Sequence, residues 1–133
     1  MSTVKGIYVL AISVSKDISI NIGGLGPVIF SKGLYAYAGS AQNNLEKRIR
    51  RHIRKARRKF WHVDYLMGDE AVEVLQVFYK EAEKPEECKI AKKLEEIGIP
   101  IKGFGSSDCG CISHLFKLKS YQFLRGFMRE AAL

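Results

Sequence analysis

Two side chains in "NNLEKRIRRHIRKARRKF" are spaced to work together: Arg48 and His52 lie four residues apart, about one turn of a helix. At about 100° per residue, Leu45, Ile49, Ile53, Ala56 and Phe60 form one narrow apolar stripe. His52 sits on the edge of that stripe and Arg48 borders it. A cation beside a packed face needs a partner, because an unpaired, partly buried charge is costly. A carboxylate bridge for Arg48 and a core hydrogen bond for His52 would serve as well as catalysis. Lys47, Arg50, Arg51, Arg54, Arg57 and Arg58 point away from the stripe, towards phosphates or solvent.

Three other groupings carry chemistry. His62 and Asp64 in "WHVDY" share one face if that segment is a strand, where they would extend a site or form a local hydrogen bond. Cys109-x-Cys111 with His114 raises zinc, although the spacing is tighter than the usual C-x₂₋₄-C and no fourth ligand is evident. In the same loop, the glycines around Ser107 and Asp108 permit close backbone approach; Asp108 reads as a functional polar residue or a turn cap. Tyr35, Phe60 and Trp61 read as core rather than as stacking platforms.

The elements that must position these residues follow from period and punctuation. "GIYVLAISVS" is apolar on both alternating faces, as in a strand covered on both sides. "ISINIGGLGPVIFSKGLYAYAGS" reads as further strands joined by glycine turns, hence antiparallel hairpins. The basic helix follows, with Asn43 as its cap and Glu46 as the capping partner. "AVEVLQVFYK" is a strand, and "KPEECKIAKKLEEIG" a helix that starts after Pro85 and stops at Gly98. "GFGSSDCGCISHLFKL" is a glycine-rich loop entering a strand, and "SYQFLRGFMREAAL" a closing amphipathic helix capped by Ser120. Such an order implies an α+β fold, and 133 residues fit one domain, 1–133.

Charge narrows the function classes. Residues 44–60 hold nine Lys and Arg against one acid, Glu46, so this stretch alone carries the net +8 of the chain. A concentrated basic element fits a polyanionic partner. It lacks the broad leucine and aromatic face of a membrane-surface helix, so no membrane partner is expected. Three cysteines, an odd number without a signal peptide, suit reduced thiols in the cytoplasm.

The ordered residues resemble a known family. "GIY" at Gly6-Ile7-Tyr8, "YAG" at Tyr37-Ala38-Gly39, then Ser40, Asn44-Leu45, Arg48 and His52 are similar to the motifs of the GIY-YIG nuclease superfamily. "FWHVDYL" (60–66), "ECKIA" (87–91) and "GFGSSDCGCISHLF" (103–116) resemble a mostly archaeal, largely uncharacterised branch whose members are sometimes fused to endonuclease III. The resemblance spans nearly the whole chain.

It implies a small antiparallel sheet of about three core strands, flanked by helices, that hydrolyses phosphodiesters with one divalent metal, Mg²⁺ or Mn²⁺. Tyr8 would match the first-motif tyrosine and the base, with Tyr37 positioning water or phosphate. Arg48 would match the family arginine and His52 an assisting position often held by His or Tyr. Glu87 would match the metal-binding glutamate, with Glu86 the alternative. A role in DNA repair, a nucleic-acid substrate with DNA ahead of RNA, and a repair-protein partner follow from the same likeness. The chain departs from the family in three places. Tyr8 and Tyr37 are 29 positions apart, so "SKDISINIGGLGPVIFSKG" reads as an inserted hairpin that would cover or extend the site. Asn44 is an extra residue, which makes Arg51 a rival for the Arg48 role. The closing asparagine has no counterpart unless Ser107 or Asp108 replaces it. A non-catalytic nucleic-acid-binding module, and an adaptor whose basic helix docks an acidic protein face, are the competing functions.

Overall fold

The computed structural model describes residues 5–55, 59, 61–106 and 109–131; Arg57, Arg58, Ser107 and Asp108 lie outside the described residues. In chain order the elements are β1 (Gly6–Val14), β2 (Ile18–Ile22), β3 (Gly26–Phe30), β4 (Gly33–Ala41), α1 (Leu45–Ile53), α2 (His62–Met67), β5 (Val72–Lys80), α3 (Glu86–Ile97), β6 (Ile99–Pro100), β7 (Leu115–Leu118) and β8 (Arg129–Glu130). Six strands form one sheet in the order β6-β7-β4-β1-β5-β8, and each pairing is antiparallel. The fold is α+β, as the strand and helix periods imply.

β1 is central because its side chains are apolar in both directions. Tyr8, Leu10, Ile12 and Val14 enter one core, with Leu45 and Ile49 of α1 and Val63 and Leu66 of α2. Ile7 and Val9 enter the core on the other face, with Ile90, Ala91 and Leu94 of α3. Burying one such aliphatic side chain stabilises the fold by about 1.5–3 kcal/mol, so truncating Leu45 or Ile49 would loosen α1 from the sheet.

The segment read as an inserted hairpin is β2–β3, a separate two-stranded sheet. Its alternate residues Ile18, Ile20 and Val28, and the buried Ile22 and Phe30, pack on the same core as α2. It extends that core, and none of its residues lines the main cavity described below.

Three local expectations are corrected. Asn44, not Asn43, caps α1, its side chain accepting from the Lys47 N–H at 3.0 Å. The helix also ends early: Lys55 adopts a left-handed conformation with φ 57°, and its ammonium donates to the carbonyls of Asp69 and Val72 at 3.1 and 2.7 Å. The closing segment is not an α-helix. Gln122–Gly126 forms a 3₁₀ turn whose N-cap is Tyr121, the Ser120 hydroxyl accepting the Gln122 N–H at 3.2 Å, and Arg129 and Glu130 pair with Tyr79 and Phe78. The open edge of β5 offers backbone partners that outcompete a short helix broken by Gly126. Among the described residues, no helix is long and apolar enough to cross a membrane.

Candidate active site and a second cluster of donors

The cross-strand register assembles the site. Tyr8 of β1 lies opposite Gly39 of β4, and Tyr37 of β4 opposite Leu10 of β1, so both tyrosines project onto one face. Their ring centroids are 6.3 Å apart. Both motif glycines are required by close approach. A Cβ on Gly39 would come within 2.4 Å of the Tyr8 ring, and one on Gly6 within 2.5 Å of the Lys80 carbonyl oxygen. Gly39→Ala is therefore expected to cost about 1–3 kcal/mol and to displace the Tyr8 hydroxyl. Denaturant unfolding measures the cost; an unchanged midpoint would show that Tyr8 moves aside freely.

α1 lays its buried edge over this face. His52 Nε2 lies 2.7 Å from the Tyr8 hydroxyl, in a buried contact. Burial lowers the His52 pKa to about 4; the Arg48 and Arg51 charges lower it too, while Asp64 opposes them. Burial also raises the Tyr8 and Tyr37 pKa values, and Arg48 only partly offsets this. The pair at rest is thus a neutral imidazole hydrogen-bonded to a neutral phenol. Desolvation outweighs the field of Arg48 at Tyr8, which keeps the phenol protonated.

Arg48 sits where a partner is available on each side. Its Nη1 donates to the Ser40 carbonyl at 3.0 Å, and its guanidinium lies 4.2 Å from the centroid of the Trp61 ring. Trp61 is therefore not core: it is 37% exposed and lines the cavity. Arg51 does not point outward. Its Nη2 donates to Asp64 Oδ2 at 2.9 Å, which separates it from the role of Arg48. Lys47, Arg50 and Arg54 do face solvent.

His62 and Asp64 belong to a helix, not a strand, so they part company. Asp64 turns inward, accepting from the Trp61 N–H at 3.0 Å and from Arg51, with Oδ1 3.9 Å from His52 Nδ1. The apolar i, i+3, i+4 pattern of Val63, Leu66 and Met67 decides for helix. His62 faces the cavity and accepts the Gly105 N–H at its Nδ1, 2.9 Å away.

Tyr8, Tyr37, Arg48, Trp61, His62 and Glu87 thus meet at one open cavity of about 450 Å³, where β1 begins and β4 ends. Glu87 is the one acid among the described lining residues, placed there by the first turn of α3. Glu86 turns instead to Lys80 and Lys89.

Glu87 also touches a second constellation. Its Oε2 lies 2.7 Å from His114 Nδ1. The donor atoms of His114, Cys88, Cys109 and Cys111 all lie within 4.8 Å of one another, close enough to hold a metal ion. Cys88 is the member that sequence reasoning missed. It stands on α3, 21 positions before Cys109, and no local spacing links the two.

No curated protein and no solved structure matches the chain. One family model does, over residues 7–132, from β1 to the end of the closing segment. The chain therefore belongs to the family described as a domain of unknown function, DUF123.

Proposed function

We propose that the cavity hydrolyses nucleic-acid phosphodiesters with the help of a bound divalent cation. One observation carries the reading: a fixed guanidinium, a carboxylate and a tyrosine backed by a buried histidine converge on one open polar cavity beside an exposed basic helix face. The likeness of "GIY", "YAG", Arg48 and His52 to the GIY-YIG nucleases supports the same chemistry, and a place in DNA repair.

The donors suit a hard cation. Glu87 offers a single carboxylate beside space for water and substrate oxygens, the ligand set that Mg²⁺ or Mn²⁺ tolerates. When bound, such an ion polarises the scissile phosphate and eases departure of the leaving oxygen. Arg48 complements the charge that grows on the phosphoryl oxygens, held ready by Ser40 and Trp61. The Tyr8 hydroxyl takes the proton of the attacking water as it gives its own to His52 Nε2. Asp64, beside the other ring nitrogen, stabilises the imidazolium so formed. Lys47, Arg50 and Arg54 hold the backbone of the substrate.

Incubation of plasmid, branched DNA and RNA with and without Mg²⁺ or Mn²⁺ tests the reading, with metal-dependent nicking the expected result. Salt-sensitive binding without nicking would instead favour a binding module. Failure to bind any nucleic acid at moderate salt would favour an adaptor for an acidic protein face. The exposed cations make a separate prediction. Arg50→Ala/Arg54→Ala should reduce the slope of log affinity against log salt by up to about 2. An unchanged slope would remove these two from the phosphate contacts.

A further inference from the structure

The second constellation is built for a different ion from the one proposed for the cavity. Cys88 of α3, Cys109 and Cys111 of the loop before β7, and His114 at the end of that loop bring three thiols and one imidazole together. None of the cysteines is in a disulfide. Thiols and imidazole are borderline-soft donors that favour Zn²⁺, whereas Mg²⁺ and Mn²⁺ take carboxylates, carbonyls and water.

The distances agree with a tetrahedral site. With Zn–S bonds of about 2.3 Å and a Zn–N bond of about 2.0 Å, a tetrahedron has S···N edges of about 3.5 Å and S···S edges of about 3.8 Å. His114 Nε2 lies 3.4 Å from Cys109 Sγ, already at the required separation. The widest donor pairs, at no more than 4.8 Å, need to close by about 1 Å at most. His114 is also oriented correctly for a ligand. Its Nδ1 lies 2.7 Å from Glu87 Oε2, which leaves Nε2 to face the thiols. This carboxylate–histidine arrangement is the usual support of a zinc-binding imidazole.

We propose that Cys88, Cys109, Cys111 and His114 form a structural Zn²⁺ site, with Glu87 as the carboxylate that positions His114. Four protein ligands leave no open position for substrate, which separates a structural site from a catalytic one. The ion ties the start of α3 to the loop, where the Phe104 carbonyl accepts the His114 N–H and Gly105 holds His62. The zinc site therefore braces one wall of the cavity. Glu87, which touches His114 and lines the cavity, is shared between the brace and the cavity.

The full chain, purified under reducing conditions, should retain one zinc per chain. Exchange for Co²⁺ should give thiolate-to-cobalt charge transfer and the intense visible bands of a tetrahedral ion. Cys88→Ser should weaken Zn²⁺ binding at least 100-fold. Glu87→Gln should keep the tetrahedral spectrum but lower affinity about 10- to 100-fold. Chelation of the zinc should lower the melting temperature of the wild-type chain. A wild-type chain that holds no zinc and gives no such cobalt spectrum would overturn the proposal, whether or not the variants fold. So would an iron–sulfur spectrum, or Cys88→Ser binding zinc as tightly as wild type. Arg48→Ala should bind zinc normally, so loss of nicking and loss of zinc are separable results: a zinc-loaded protein without nuclease activity refutes only the cavity reading.

Discussion

Arg48→Ala is expected to reduce metal-dependent nicking about 10²- to 10³-fold, the usual effect of removing one preorganised donor from a developing oxyanion. Arg48 is placed for this by contacts that exist before any substrate arrives: one nitrogen on the Ser40 carbonyl and the guanidinium plane against Trp61. Its reorganisation during reaction is correspondingly small. Arg48→Lys preserves the charge but loses the planar fork and the stack, so it should recover only part of the lost rate. Single-turnover rates at saturating metal separate this effect from binding, while circular dichroism and the melting temperature report whether the fold is intact. Equal nicking by wild type and Arg48→Ala would remove Arg48 from the chemistry. It would then be a structural tie between α1 and the end of β4.

The second large effect is one of acid on stability. His52 is almost completely buried and its pKa falls from 6.5 to about 4 in the folded chain. The unfolded chain thus binds a proton that the folded chain refuses, so stability falls as pH drops from 6.5 towards 4. Above 6.5 the contribution is fully present. Over the whole window the loss is about 3 kcal/mol, at about 1.4 kcal/mol per pKa unit. The groups facing His52 are Tyr8, Asp64, Arg48 and Arg51; the two arginines disfavour the imidazolium and Asp64 favours it. His52→Gln keeps an acceptor for the Tyr8 hydroxyl without the titration. Its urea-derived stability should therefore decline less than that of wild type across this window. Parallel curves for the two proteins would mean that His52 titrates freely in the fold.

Periodicity reveals elements whose two faces differ in kind. β1 is apolar in both directions and became the central strand; Pro85 and Gly98 bracket α3 because the first stops no helix at its start and the second ends one. The tail, 120–131, misled for the same reason in reverse. Its helical period is real, but the vacant edge of β5 is a long-range opportunity that period cannot register. Likewise the alternation of His62 and Asp64 fits a strand, and only the packing of Val63, Leu66 and Met67 decides for α2.

The site divides in the same way. Spacing alone made legible a helical i, i+4 pair, Arg48 and His52, beside a packed face, because that is a short-range signal. The expectation that Tyr8 and Tyr37 join them at one site came from the resemblance of the ordered motifs. The direction of Arg51, the neutrality of the Tyr8–His52 pair and the joining of Cys88 to a loop 21 residues away came only from the tertiary structure. Each depends on a partner contributed by another element: Asp64 for Arg51, a closed core for His52, and the first turn of α3 for the thiols. Charge direction, desolvation and ligand sets are properties of groups brought together in space, and no local stretch of the chain holds every member of any of them.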